Sequence, residues 1–168
     1  MKKIIVLLAS VFMLQACDDG DITLESFNFD TVTVQNCTTN NLVYKINRNE
    51  LLLLSIPETN FPNEVTVVGS PRIVNVNAEN RIVYRLYSDN VTSTTICSVL
   101  PPASPVVQKE WNATGGTIEI ITNAIYAADG ITITSYTHNI KFKNVNFSNP
   151  DNSFSFTEYI FGNYVTVL

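Results

Sequence analysis

Apolar and polar residues alternate with period two along much of the chain, the mark of strands half buried in an antiparallel sheet. Between Thr134 and Phe142 the alternation is nearly strict. Tyr136, His138, Ile140 and Phe142 share one face, and Thr137, Asn139 and Lys141 share the other. Past Lys143 the apolar set changes parity to Val145 and Phe147, which predicts a bulge or bend near Asn144. Shorter runs of the same kind are Phe27-Phe29 with Val32-Val34, Leu42-Tyr44-Ile46, Ile82-Tyr84-Leu86 and Ile118-Ile120. Glu50 to Ile56 carries four consecutive leucines and fits either a helical turn or a strand buried on both faces.

Turn residues punctuate these runs at Pro62-Asn63, Gly69-Ser70-Pro71, Asn77 to Asn80, Ser88-Asp89-Asn90, Gly115-Gly116, Asp129-Gly130 and Asn149 to Asn152. Spacings of about 8 to 15 residues between turns predict an all-β fold, an antiparallel β-sandwich of Ig-like or jelly-roll-like form. Three prolines between Pro101 and Pro105 exclude a central strand there and predict a crossing loop.

The N-terminus follows a different pattern. Lys2 and Lys3 precede an apolar stretch from Ile4 to Leu14, followed by Gln15-Ala16-Cys17. This is the layout of a secretory signal, and the apolar part is shorter than the roughly 20 residues a membrane-spanning helix needs. Leu14-Gln15-Ala16-Cys17 resembles the lipobox of bacterial lipoproteins. The resemblance implies transfer of a diacylglycerol to the nucleophilic sulfur of Cys17, cleavage before that residue, acylation of the new amine with fatty acid such as palmitate, and membrane attachment through these lipids. The chain then divides into a signal peptide (1–16), a lipidated cysteine with an acidic tether (17–24) and one β-sandwich domain (25–168).

Asp18, Asp19 and Asp21 resemble the acidic export signal that follows the lipid cysteine in surface lipoproteins of the Bacteroidota, although Gly20 interrupts the run. The implied location is the outer membrane, exposed at the cell surface. An Asp directly after the cysteine also resembles the inner-membrane retention signal of proteobacteria, and the plainest reading is a solvated spacer. Asp30-Thr31-Val32 resembles the short O-glycosylation motif of exported Bacteroidota proteins, with Thr31 as the acceptor. From Trp111 to Ile120, with Gly130 to Thr134 and the strand running to Phe147, the chain is similar to the small β-sandwich lipoproteins of Flavobacteria and other Bacteroidota. That resemblance implies a fold class and a location, and no activity.

With Cys17 taken by lipid, Cys37 and Cys97 are left in a compartment that permits disulfides, so they are expected to bond; two buried free thiols are the alternative. Loss of Lys2 and Lys3 leaves eight basic residues of the original ten against fifteen acids, a balance of −7. No basic stripe is present to displace phosphate counterions, which argues against nucleic acid as a partner. Closely spaced cysteine pairs are absent and His138 is the single histidine, so neither metal nor cofactor is expected.

The same residue inventory weakens catalysis. His138 lies on the apolar side of its strand, where a hydrogen-bonded core histidine is favoured over a general base, and no Gly-x-Ser-x-Gly elbow accompanies it. No catalytic residue is assigned, and a hydrolase stands as the least favoured class. A binding or interaction module is the leading expectation, with a glycan or an envelope protein as partner. Trp111, Tyr126, Tyr136, Tyr159 and Tyr164, with Asn112, Asn123 and Asn163, are the candidate contact groups, because flat rings with polar neighbours suit sugars. For Trp111 a place in the core is the favoured alternative. A structural or assembly subunit of an envelope complex is the second class, resting on the apolar ending Tyr164-Val165-Thr166-Val167-Leu168 as an edge for pairing.

Overall fold

The structure, a computed structural model, describes residues 27–168. The expected signal peptide (1–16), Cys17 and the acidic run therefore lie outside the described residues. Eight strands follow in chain order: β1 (Gln35–Asn36), β2 (Leu42–Asn47), β3 (Glu50–Ser55), β4 (Arg72–Asn75), β5 (Arg81–Tyr87), β6 (Val107–Tyr126), β7 (Ile133–Ser148) and β8 (Ser153–Val167). A 3-10 turn at Glu58–Asn60 and one short helix, α1 (Ser93–Cys97), complete the elements. All the pairings are antiparallel, in the order β1-β2-β3-β5-β6-β7-β8, with β4 beside β6.

The all-β class is as expected, and the strands join in one curled sheet, a half-barrel. Its wings share an interior in which Leu52, Leu54, Ile82 and Tyr84 meet Ile118, Ile140, Phe142 and Phe161. The leucine run is a strand, and both of its faces are buried. Leu52 and Leu54 enter this interior, while Leu51 and Leu53 join Tyr44, Val83, Tyr87 and Val91 in a second cluster on the other side. The segment carrying Val91, Ile96 and Cys97 covers that second cluster. The disulfide Cys37–Cys97 fastens the cover, with Cα atoms 5.4 Å apart, inside the range a disulfide spans.

The curl comes from a change of parity made at one level by three strands. On β6 the inward set moves from Trp111 to Ile118, Ile120 and Thr122; on β7 from Ile140 and Phe142 to Val145 and Phe147; on β8 from Phe154 and Phe156 to Tyr159 and Phe161. Thr117 pairs Lys143 and Gly115 pairs Asn146, so β7 carries the extra residue there, and Asn144 adopts a left-handed φ of 51°. The bulge expected near Asn144 is present. Gly115-Gly116, read from sequence as a turn, instead lies inside the 20-residue β6. A side chain at Gly116 would come within 2.6 Å of the Asn144 carbonyl oxygen, and its φ is 106°, so this crossing requires glycine. On the opposite edge of β6, β5 pairs residues up to Asn112 and β4 takes over from Thr117, on either side of the bend.

Asparagine builds two of the predicted turns. The Asn77 side chain accepts hydrogen bonds from the backbone of Glu79 and Asn80, and Asn149 does the same for Asp151 and Asn152 between β7 and β8. Pro101–Pro105 lies in the loop before β6, as expected. The Phe27 to Val34 run departs from its strand reading. Val32 N–H bonds to Phe29 O at 3.1 Å, a tight turn, and regular pairing begins at Gln35. Phe29 is fully buried, and Phe27 sits among Tyr84, Phe154, Phe156 and Tyr159, so the segment crosses the sheet interior to reach a core.

Two outcomes follow. Replacing Cys37 and Cys97 with serine should lower unfolding free energy by about 4 kcal/mol, the loop-closure value for a span of this length, as measured by urea denaturation. Gly116→Ala should cost about 2 kcal/mol or more, whereas Gly115→Ala, whose added carbon meets nothing within 4 Å, should stay within about 0.5 kcal/mol of wild type.

Candidate functional site

The two ends of the curled sheet approach each other without a hydrogen-bonded ladder. On one side stands β8, which pairs β7 alone among the described strands; on the other runs the lead-in from Phe27 to β1. Side chains close the seam. Val34 reaches Gly162, where an added Cβ would come within 2.9 Å of it, and β8 carries one extra residue relative to β7 at this point. Lys45 projects inward from β2 and donates from Nζ to the carbonyl oxygen of Phe29 at 2.8 Å. Its ammonium lies 5.9 Å from the Tyr159 ring centre and 5.8 Å from that of Phe161. The lysine thus ties the lead-in to the sheet.

A groove of about 790 Å³ opens along this seam, lined by Phe27, Asp30, Lys45, Phe156, Tyr159 and Asn163 among others. Four ionisable residues line it, Asp30 from the lead-in, Lys45 from β2, and Glu158 and Tyr159 from β8. Lys45 is 3% exposed, and burial pulls its pKa below the usual lysine range, partly offset by the Asp30 carboxylate. Tyr159 is 8% exposed, and burial followed by the Asp30 charge raises its phenol well above the ordinary value. The Tyr159 hydroxyl makes no hydrogen bond among the described residues, a costly state for a buried polar group. Beside them Glu158 is ion-paired with Lys143, and the Asn163 side-chain oxygen accepts from Asn139 Nδ2 at 2.9 Å.

The aromatic candidates scatter. Tyr159 lines the groove. Trp111 is 6% exposed and stacks on Tyr84, with Nε1 donating to Asn152 Oδ1 at 2.6 Å. Tyr136 is buried, Tyr164 packs edge-on against Phe61, and Tyr126 lies exposed at the end of β6. Of the asparagines, Asn163 lines the groove, Asn112 donates to Glu110 Oε1 at 3.0 Å, and Asn123 is exposed on β6. Thr31 is exposed in the lead-in turn, next to the groove residue Asp30. Sequence reasoning passed over Lys45, Asp30, Phe27 and Phe156. The available signal was Lys45 itself, a lone charge in the apolar run from Leu42 to Ile46.

His138 occupies a separate polar chain across the interior. It is fully buried, with Nδ1 2.8 Å from Thr122 Oγ1 and Nε2 3.0 Å from Thr166 Oγ1. Thr166 Oγ1 donates to Asn63 Oδ1 at 2.7 Å, so its proton is committed and it accepts from the histidine. The proton therefore sits on Nε2, and Nδ1 accepts from Thr122. Burial, followed by the charge of Arg72, lowers the histidine pKa to about 4. The arrangement is that of a hydrogen-bonded core histidine. No group of three or more His, Cys, Asp or Glu residues able to hold a metal occurs among the described residues. No helix among them is long and apolar enough to cross a membrane.

No protein-family model, curated protein or solved structure matches the chain.

His138 has a consequence for stability. Its folded pKa lies below the ordinary 6.5, so its contribution is fully present above pH 6.5 and is lost as pH falls through 4. Between those values the difference in unfolding free energy between wild type and His138→Gln should narrow by up to about 1.4 kcal/mol per pH unit. Denaturation series at pH 7, 6, 5 and 4 measure this, and a constant difference would contradict the assignment.

Proposed function

We propose that this chain is a lipid-anchored lipoprotein of the bacterial cell envelope, displayed at the outer-membrane surface, whose β-domain is a binding module with its ligand seated in the seam groove. The anchor rests on the lipobox-like Leu14-Gln15-Ala16-Cys17 and the acidic residues after it. In this reading the wings of the curled sheet serve as the two layers of an Ig-like or jelly-roll-like sandwich. The binding role rests on one observation, the convergence of Asp30, Lys45 and Tyr159 on a single groove. Buried lysines and unpaired buried hydroxyls are costly, and such groups concentrate where a ligand or reaction uses them.

A second reading, an assembly subunit, is supported by the β8 edge. From Tyr159 to Leu168 it carries no charged side chain, and Val165, Val167 and Leu168 are exposed, which makes it a template for strand pairing.

Cells fed tagged palmitate should label the wild-type chain and leave Cys17→Ser unlabelled; an unlabelled wild-type chain removes the anchor. For the groove, the detergent-solubilised full chain is screened by thermal shift against oligosaccharides, fatty acids and short peptides. At least one class should raise the wild-type midpoint and leave that of Lys45→Met unmoved. If no class stabilises the wild-type chain, the binding role fails, and concentration-dependent self-association would then favour the assembly reading.

A further inference from the structure

Resting on the groove as the binding site, we infer that its ligand is a neutral oligosaccharide. Among the described residues the lining carries two carboxylates, Asp30 and Glu158, against one ammonium, Lys45, and Glu158 is ion-paired with Lys143 outside it. No net positive field remains to hold a carboxylate, sulfate or phosphate ligand, and the chain as a whole is acidic. What the groove offers is a mixed set of hydrogen-bonding groups. Lys45 Nζ and the Tyr159 hydroxyl are buried donors with capacity to spare, since among the described residues the ammonium donates to Phe29 O and the hydroxyl has no hydrogen-bond partner. Asp30 accepts, and the Thr33 hydroxyl in the same lining does both.

Sugar hydroxyls donate and accept at once, and so answer such a set without carrying charge. The other requirement of a saccharide site is an apolar surface for the C–H faces of the ring. Phe27 and Phe156, both half buried and 4.7 Å apart between ring centres, lie in the lining beside the Tyr159 ring. A fatty acid would match those rings, yet its carboxylate would meet Asp30 beside Lys45, the one cation that lines the groove among the described residues. The groove along β8, at about 790 Å³, lies within the range of small-ligand sites.

The test uses the full-length chain in detergent on an array of neutral, uronic-acid and sulfated oligosaccharides, with oleate and short peptides titrated separately. Neutral glycans are expected to bind, and acidic ones are expected to stay dark. Tyr159→Phe keeps the ring and removes a hydroxyl that supports no internal hydrogen bond, so its thermal midpoint should match or exceed that of wild type while affinity falls about fivefold or more. Binding confined to acidic glycans, oleate or peptides would overturn the saccharide assignment and leave the groove as a binding site. Neutral-glycan binding that Tyr159→Phe leaves unchanged would also overturn it, because the hydroxyl would then be a packing defect. Absence of binding to every class would remove both this assignment and the binding role.

Discussion

The shape of this protein depends on the close crossing of β6 and β7, where Gly116 lies against the backbone of Lys143, Asn144 and Val145. In a strand, one extra residue sends every later side chain to the opposite face. A long sheet can bend sharply and keep one apolar face inside only if its neighbouring strands make that exchange together. Here β6, β7 and β8 make it at one level, and the bulge with its glycine leaves room for the bend. The wing of β2, β3 and β5 is thereby brought over the aromatic residues of β8, and a single interior forms from both.

The curl stops short of a closed barrel, and that determines the character of the seam. Closure by a ladder would bury backbone against backbone and leave no groove. Closure by side chains leaves Val34 against Gly162, with Lys45 spanning the gap to Phe29. A buried ammonium is expensive in an apolar interior; one carbonyl and two ring faces offset only part of that cost. The lead-in segment also shields part of the β8 edge, which its uncharged C-terminal half would otherwise expose to pairing with other chains.

Polar groups elsewhere in the interior are treated differently. His138 is satisfied on both nitrogens by threonines from the two flanking strands, and burial, followed by the charge of Arg72, keeps it neutral. Trp111 likewise meets its single donor requirement at Asn152. Against this background the Tyr159 hydroxyl, buried with no such partner among the described residues, stands apart. That difference, and not the aromatic residues most conspicuous in the sequence, is what supports the site proposed at the seam.

Local chemistry made much of the fold legible. Period-two alternation identified β7 and, at Ile118-Ile120, a fragment of β6, the parity change after Lys143 located the bulge, asparagine turns marked the ends of strands, and two cysteines left after the lipobox-like motif pointed to their own pairing. Those features are written in neighbouring residues. The same local logic misread Gly115-Gly116 as a turn, because a glycine needed for close backbone approach looks identical in sequence to one needed for a reversal. It also read Phe27 to Val34 as strand, since apolar alternation does not reveal whether a ladder partner exists. Which side of the sheet Lys45 enters, and that Asp30 and Tyr159 arrive beside it, depended on register between strands far apart in the chain. Register is a property of pairing, and it was decided only when the three long strands bent together and carried β8 across to the lead-in.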